Sequence, residues 1–230
     1  MRALLLAAGF GTRLRPLTNE IPKCLVPIKG KPLLGIWLEN LTLAGFGPFL
    51  VNTHYLSEQV ESYVQASPYA NRVVFVNEPE LLGTAGTLIA NLDFFKDEDG
   101  LLIHADNYCL ADLQNFLAAH KKRPAECLMT MMTFRTDSPS SCGIVELDGR
   151  GVVIGFHEKV SDPPGNLANG AIYILSREFA RVLKTDFGET SDFSTEILPK
   201  VMGQIFSYET ESMFVDIGTL EAYDKANLNS

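Results

Sequence analysis

Between Leu6 and Lys23 the chain carries Gly9 and Gly11, then Thr12, Arg13, Arg15 and, after Pro22, Lys23. These residue types suit phosphate. Glycine lets backbone N–H groups come close to anionic oxygens, and such a loop can form an anion nest. Arg13 adds a planar fork of donors that matches phosphate oxygens, and Lys23 adds a mobile point charge. The charge distribution singles out the same stretch. Residues 1–31 hold Arg2, Arg13, Arg15, Lys23, Lys29 and Lys31 against the single acid Glu20, in a chain whose formal net charge is -9. A basic segment in an acidic chain points to a localised polyanion site, and a solvated basic patch is the plainer alternative. The loop is not a Walker A motif, because no Gly-Lys-Ser/Thr follows. It is not Gly-x-Gly-x-x-Gly either, since Leu14 stands where the third glycine would be, and this argues against a dinucleotide-dependent dehydrogenase.

Two acids could complement such a loop. Asp106, in His104-Ala105-Asp106-Asn107, follows the apolar run Leu101–His104. A carboxylate at a strand end suits Mg²⁺, a hard cation that takes oxygen ligands together with substrate phosphates. Asp216, in Phe214-Val215-Asp216-Ile217-Gly218, follows another short run. Taken alone, each acid reads as a turn or cap residue. His54, His104, His120 and His157 show no metal-ligand spacing, and His120 reads as a helix C-terminal residue.

The elements that must position these residues follow from periodicity. Strands are expected at Ala3–Ala7, Phe49–Thr53, Arg72–Val76, Leu101–His104 and Cys127–Phe134. Helices are expected at Leu33–Leu43, from an N-cap at Ser57, at Thr84–Leu92, and from Leu113 to about Lys121–Arg123. This alternation predicts an α/β fold with a Rossmann-like, doubly wound, mostly parallel sheet. In such sheets ligands bind beyond the carboxyl ends of the strands, where Gly9–Arg13 and Asp106 fall. The last third reads as antiparallel. Asp148-Gly149-Arg150-Gly151 joins two strands as a hairpin, Ala171–Leu175 is a strand, Ser176 caps a helix, and Asp192–Val201 is helical. Short strands at Ile205–Tyr208 and Met213–Val215 precede a helix capped by Thr219. We expect a single domain over residues 1–230, with 1–135 binding nucleotide and 136–230 forming a smaller antiparallel extension that covers the crevice.

Composition limits the remaining possibilities. The 230 residues are 46% hydrophobic and 20% charged, which suits an ordered globular domain. The net charge argues against a general nucleic-acid binder. The apolar start is interrupted at Gly9 and followed by Arg13 and Arg15, unlike a secretory leader. No run approaches the ~20 apolar residues of a membrane span. Cys24, Cys109, Cys127 and Cys142 show no Cys-x-x-Cys spacing, and Cys109 and Cys127 sit among apolar residues. A reducing cytoplasmic location is the expectation.

The full string Leu6-Ala7-Ala8-Gly9-Phe10-Gly11-Thr12-Arg13-Leu14-Arg15-Pro16-Leu17-Thr18 with Pro22-Lys23 closely resembles the signature of the sugar-1-phosphate nucleotidyltransferases, the nucleotide-sugar pyrophosphorylases. The resemblance extends over almost the whole chain. It implies that Leu6, Ala7, Gly9, Gly11, Thr12 and Arg13 contact nucleotide, and that Gly83, Thr84 and Ala85 contact the base. It implies Arg13 and Lys23 as catalytic cations and Asp106 and Asp216 as Mg²⁺ ligands. Asn107, Gly143, Glu158, Lys159 and Asn169 would meet the sugar phosphate. The sequence departs from the family pattern in three places. Ala105 stands for a glycine, Val160 for the proline of Glu-Lys-Pro, and Gly170-Ala171 transposes the usual order after Asn169. The implied partners are a nucleoside triphosphate and a sugar 1-phosphate, with the chain a monomer or homodimer and no C-terminal β-helix. Leu82-Gly83-Thr84-Ala85-Gly86 is most similar to guanylyltransferases acting on mannose or manno-heptose 1-phosphate. Uridylyl, thymidylyl or cytidylyl transfer, the last including phosphocholine as acceptor, stays open. A catalytically silent, nucleotide-sugar-sensing subunit would be expected to lack Arg13, Lys23 or an aspartate, and all four are present.

Overall fold

A computed structural model describes residues 1–228. The chain forms two compact units, one of residues 1–81, 103–110 and 213–230, the other of 82–102 and 111–212. The fold is α/β, as the alternating pattern predicts. Among the described residues no helix is long and apolar enough to cross a membrane.

In the first unit, strands Arg2–Leu6, Phe49–Thr53 and Val73–Asn77 pair in parallel, with Ala3 opposite Phe49 and Phe49 opposite Val73. All five residues of Phe49–Thr53 are buried, as a strand covered on both faces requires. Helix Leu33–Leu43 buries Leu33, Leu34, Trp37, Leu38 and Leu41, the spacing of one helical stripe. It ends where the sequence places its stop. Gly45 takes φ 77°, its N–H donates to the Thr42 carbonyl, and the Phe46 N–H reaches back to Leu41. That paired closure satisfies the last orphan carbonyls.

The first strand ends at Leu6, one residue earlier than expected, for a reason the pattern does not carry. The Ala7 N–H leaves the sheet and donates to the Asn52 side-chain oxygen at 2.7 Å. The Asn52 amide in turn donates to Glu78 Oε1 at 2.9 Å. Both residues are almost fully buried. Asn52 therefore fixes the point where the strand turns into the glycine loop. A second correction concerns Ser57. It is the first residue of helix Ser57–Gln65 and caps nothing, because Leu56 occupies the cap position at φ 52°.

In the second unit, strands Gly143–Leu147 and Val153–Glu158 pair antiparallel. The Asp148 carboxylate accepts from the Arg150 and Val152 N–H groups and so closes the predicted turn. Strand Leu167–Leu175 runs antiparallel to Met129–Arg135, which pairs in parallel with Ile205–Glu209. Leu167–Leu175 starts four residues before the apolar run that signals it. A register shift between Asn169 and Tyr173 hides its first half from a period-two pattern. Asp112 and Ser176 cap helices Leu113–Lys121 and Arg177–Asp186, accepting N–H bonds from Gln114 and Asn115 and from Phe179. The stretch expected as one helix at Asp192–Val201 is a π-turn, Phe193–Ile197, followed by a 3-10 turn, Leu198–Val201. Pro199 explains the break, since it supplies no N–H to continue the ladder.

Asn52→Ala removes the acceptor of the Ala7 N–H and one donor to Glu78. A buried polar group left unpaired costs about 1–3 kcal/mol, so we expect a loss of about 3 kcal/mol in urea denaturation. A change within ±0.5 kcal/mol, typical of surface substitutions, would show that the network does not hold the loop.

Candidate active site

The first unit brings Arg13, Lys23, Asp106 and Asp216 together. Asp106 and Asp216 meet because strands Asn107–Cys109 and Phe214–Asp216 pair antiparallel, with Asp216 opposite Asn107. The Ile217 N–H donates to the Asp106 carbonyl at 3.1 Å and extends that ladder by one bond. The ladder is pinned from the helix side, where Trp37 Nε1 donates to the Asn107 carbonyl at 2.7 Å. Two acids more than a hundred residues apart are thereby neighbours by backbone pairing.

Lys23 lies in the 3-10 turn Lys23–Leu25 after Pro22 and is 8% exposed. Its ammonium is 2.5 Å from Asp106 Oδ2 and 3.8 Å from Asp216 Oδ1. The electrostatics of the two acids differ. Burial pushes Asp106 up, but the charges of Lys23 and His104 and the Lys23 hydrogen bond outweigh it and hold the carboxyl below its ordinary range. Burial and the Asp106 charge raise Asp216, against the smaller pull of Lys23 and Arg13. The pair thus tolerates one negative charge readily and resists the second unless more positive charge arrives. Cys24, beside Lys23, is pushed up to about 12, mainly by burial, so its thiol stays protonated and is no nucleophile.

Space for this cluster comes from two glycines. A Cβ on Gly11, at φ 62°, would lie 2.9 Å from Thr18 Cγ2 and 3.0 Å from Lys23 Cβ. A Cβ on Gly218 would lie 3.1 Å from the Arg13 guanidinium and 3.2 Å from the Asp216 carboxylate. The glycine of Asp-Ile-Gly is therefore the floor on which Arg13 rests beside Asp216. Thr18 Oγ1 donates to the Gly11 carbonyl at 2.7 Å, and Tyr55 Oη donates to the Thr18 and Asn19 carbonyls at 3.1 Å each. Phe10 packs edge-on to His54, with ring centroids 5.2 Å apart. Gly9 differs from both other glycines in having nothing within 4 Å of its missing side chain, and unlike Gly11 its φ is not positive.

Asp106 and Asp216 offer hard oxygen ligands of the kind a divalent cation takes. Lys23 already sits there as a positive charge between them, which shows that the position suits a cation. Among the described residues no cluster of three or more His, Cys, Asp or Glu could hold a metal. Two carboxylates completed by substrate oxygens are what Mg²⁺ commonly uses.

In the second unit, Gly143 pairs with Glu158, and a Cβ at Gly143 would lie 2.6 Å from Glu158 Oε2. Gly143 makes room for that carboxylate. Lys159 pairs with Glu158 at 3.0 Å, and its N–H donates to the Cys142 carbonyl. Asn169 lies on the next strand, where Ala168 pairs with Ile144. Its amide donates to Tyr173 Oη at 2.7 Å, and its oxygen accepts from the Ala171 N–H at 2.9 Å. Asn169 therefore holds the irregular turn of its own strand. Asn107 belongs to the first unit and is buried in the ladder described above.

Residues 83–86 also have an internal role. Gly83 has φ 76°, and a Cβ there would lie 2.3 Å from the Ser191 carbonyl. The Ala85 N–H donates to that same carbonyl, and Thr84 Oγ1 accepts from the Phe193 N–H at 2.8 Å. Thr84 does not cap its helix, which begins at Gly83. Leu6 ends the first strand, and Thr12 opens the turn Thr12–Leu14 that carries Arg13. Sequence reasoning passed over Asn52, Trp37 and Gly218. Asn52 left a signal as the polar residue that follows the apolar run Phe49–Val51, and Gly218 stood in the Asp-Ile-Gly string without a role of its own.

Residues 2–230 match the family model described as nucleotidyl transferase, and the chain belongs to that family. It is 30% identical to UTP–glucose-1-phosphate uridylyltransferase of Synechocystis sp., over 98% of this chain and 62% of the relative. It is 28% identical to mannose-1-phosphate guanylyltransferase of Mycobacterium tuberculosis, over 96% of this chain and 62% of the relative. The chain thus spans about three-fifths of the length of these curated relatives. Among solved structures, HddC from Yersinia pseudotuberculosis complexed with GMP-PN superposes with a TM-score of 0.82 at 27% identity, covering 98% of this chain and 97% of that one. A UDP-glucose pyrophosphorylase complexed with UDP-glucose shares the fold, with a TM-score of 0.82 at 22% identity over 98% and 96% of the two chains.

The transposed pair after Asn169 has a measurable consequence. Ala171 sits at φ 51°, a left-handed conformation that costs a non-glycine residue about 1–2 kcal/mol. Ala171→Gly is expected to raise stability by about 1 kcal/mol, offset in part by the greater freedom of the unfolded chain. Thermal denaturation checks this, and a lowered midpoint would contradict the strain.

Proposed function

We propose that this chain transfers a nucleotidyl group from a nucleoside triphosphate, GTP in preference, to a sugar 1-phosphate of the mannose or manno-heptose type, releasing pyrophosphate. The observation that carries this reading is the cluster of Arg13 and Lys23 with Asp106 and Asp216 in one unit, two cations and two carboxylates around one point. A phosphate monoester with its second pKa near ~6 is already a dianion at neutral pH, so the attacking oxygen needs no general base. The difficulty is electrostatic, since two anions must meet and charge develops at the α-phosphate. Mg²⁺ held by Asp106 and Asp216 would supply charge neutralisation at the phosphates when bound. Arg13, lying against Gly218, would steady the β- and γ-phosphates that leave. Lys23 would neutralise the phosphates flanking the reacting centre. Glu158 and Lys159 would receive the sugar hydroxyls and sugar phosphate.

Preference for GTP is supported by resemblance. The string Leu82–Gly86 is similar to that of guanylyltransferases, the M. tuberculosis relative is named for that activity, and HddC was solved with GMP-PN. The Synechocystis relative makes UTP the principal competitor.

A pyrophosphate-release assay tests the reading by crossing GTP, UTP, ATP, dTTP and CTP with mannose, manno-heptose and glucose 1-phosphates and phosphocholine. The highest turnover is expected for GTP with a manno-configured 1-phosphate. Release that needs UTP instead overturns the base assignment, and no Mg²⁺-dependent release with any pair overturns the enzyme. Asp106→Ala and Asp216→Ala should each lower kcat about a hundredfold or more, on the scale of losing one transition-state contact. Near-normal turnover in either removes that residue from the metal site.

Gly9→Ala provides a separate check. With open space around it and no positive φ, the substitution should leave the denaturation midpoint unchanged. It should raise the KM for nucleoside triphosphate about tenfold, the size of one lost charge-assisted hydrogen bond. Unchanged KM would mean that Gly9 is merely a surface turn residue.

A further inference from the structure

The short contact between Lys23 and Asp106 bears on how metal and nucleotide are loaded. Lys23 is held by its surroundings: Pro22 precedes it, its Cβ packs toward Gly11, and only a tenth of its side chain is exposed. Its ammonium shares the Asp106 Oδ2 lone pairs that a cation would need and is within ion-pair distance of Asp216. Mg²⁺ binds carboxylate oxygen at about 2.0–2.1 Å and insists on near-octahedral geometry. An ammonium at the same oxygen would stand within a few ångströms of a doubly charged ion, partly shielded from solvent, where like charges repel strongly. The two cations therefore compete for the same Asp106 oxygen.

We propose that Lys23 is an intrinsic competitor of the divalent metal for Asp106 and Asp216, released onto phosphate oxygens when the triphosphate arrives. The inference rests on the metal assignment made above. It gives Lys23 two successive acceptors, carboxylate and then phosphate, and makes metal binding depend on the nucleotide. The nucleotide-free chain keeps its paired carboxylates neutralised by its own side chain. The triphosphate supplies oxygens for the metal and a new anionic partner for Lys23 in the same event. A ligand whose competent state is only partly populated binds more weakly by that fraction. Removing Lys23 should therefore strengthen metal binding in the absence of nucleotide, although it removes a residue expected to serve catalysis.

The test is a Mn²⁺ titration of the nucleotide-free chain, with free Mn²⁺ read by electron paramagnetic resonance. Wild type, Lys23→Met and Asp106→Asn are compared. Lys23→Met, which keeps the apolar stem, is expected to bind Mn²⁺ about tenfold more tightly than wild type. With a non-hydrolysable triphosphate analogue present, that advantage should vanish or reverse. Equal or weaker binding by Lys23→Met, while Asp106→Asn still abolishes it, overturns the competition and leaves the metal assignment standing. Absence of any Asp106-dependent Mn²⁺ binding overturns both. A second measurement needs no variant. Reductive methylation of wild type, read by mass spectrometry, should label Lys23 faster when Mg²⁺ alone is added, because the metal frees the amine. Unchanged labelling of Lys23 at saturating Mg²⁺ also overturns the proposal.

Discussion

The first unit is organised around one electrostatic constraint, two carboxylates held side by side, Asp106 with a third and Asp216 with about half of its side chain exposed. Like charges at such a distance raise each other's proton affinity. Here the cost falls unequally: Lys23 keeps Asp106 ionised, while Asp216 is pushed the other way by burial and by Asp106 itself. The pair persists because backbone pairing imposes it. Asp216 opposes Asn107 in an antiparallel ladder, and Trp37 ties that ladder to helix Leu33–Leu43. A site under this tension favours any additional positive charge, which is the property needed to gather a metal and a polyphosphate.

The alternation of strands and helices was legible because Phe49–Thr53 is buried on both faces and Leu33–Leu43 buries an apolar stripe. Leu33–Leu43 and Phe49–Thr53 appear where periodicity puts them. Elements whose geometry departs from a single period were not legible. The register shift in Leu167–Leu175 conceals half of that strand, and Phe193–Val201 changes helical type before a proline. Side-chain replacement of backbone bonds is equally silent in the pattern. Nothing in the apolar run at Ala3–Ala7 announces that Asn52 will take the Ala7 N–H. In the candidate site, the cations and acids were visible one by one through resemblance to family motifs. The same resemblance implied their grouping, but not the pairing of residues 107–109 with 214–216 that enforces it, which neither segment encodes alone.

Small residues deserve a different reading from the one a phosphate-loop argument gives them. Gly11, Gly83, Gly143 and Gly218 each make room for a group of this chain: Thr18 and Lys23, the Ser191 carbonyl, the Glu158 carboxylate, and the Arg13 guanidinium. Their absence of a side chain is accounted for before any ligand is considered. Gly83 is the sharpest case, since Ser191 and Phe193 engage Gly83–Ala85 through packing and two hydrogen bonds. Gly9, by contrast, has no group of this chain within 4 Å of its missing side chain.

The three departures from the family pattern separate by the same reasoning. Ala105 is fully buried and its N–H donates to the Leu6 carbonyl at 3.0 Å, so the extra methyl is packed and the ladder that presents Asp106 is intact. The other two fall at left-handed backbone positions. Ala171 and Lys159 both take positive φ, at 51° and 49°. A proline at 160 would bias Lys159 toward extended conformations, and Val160 lifts that restriction. Strain in the left-handed region persists only when surrounding bonds over-determine it, and they do here: Asn169 clamps the Ala171 N–H, and Cys142 accepts from Lys159. The departures thus leave the charge cluster of the first unit untouched, and two of them fall beside Glu158, Lys159 and Asn169 in the second unit. The charge cluster and the left-handed positions at Lys159 and Ala171 lie in different units, and a substitution at either position tests the local backbone without touching the carboxylate pair.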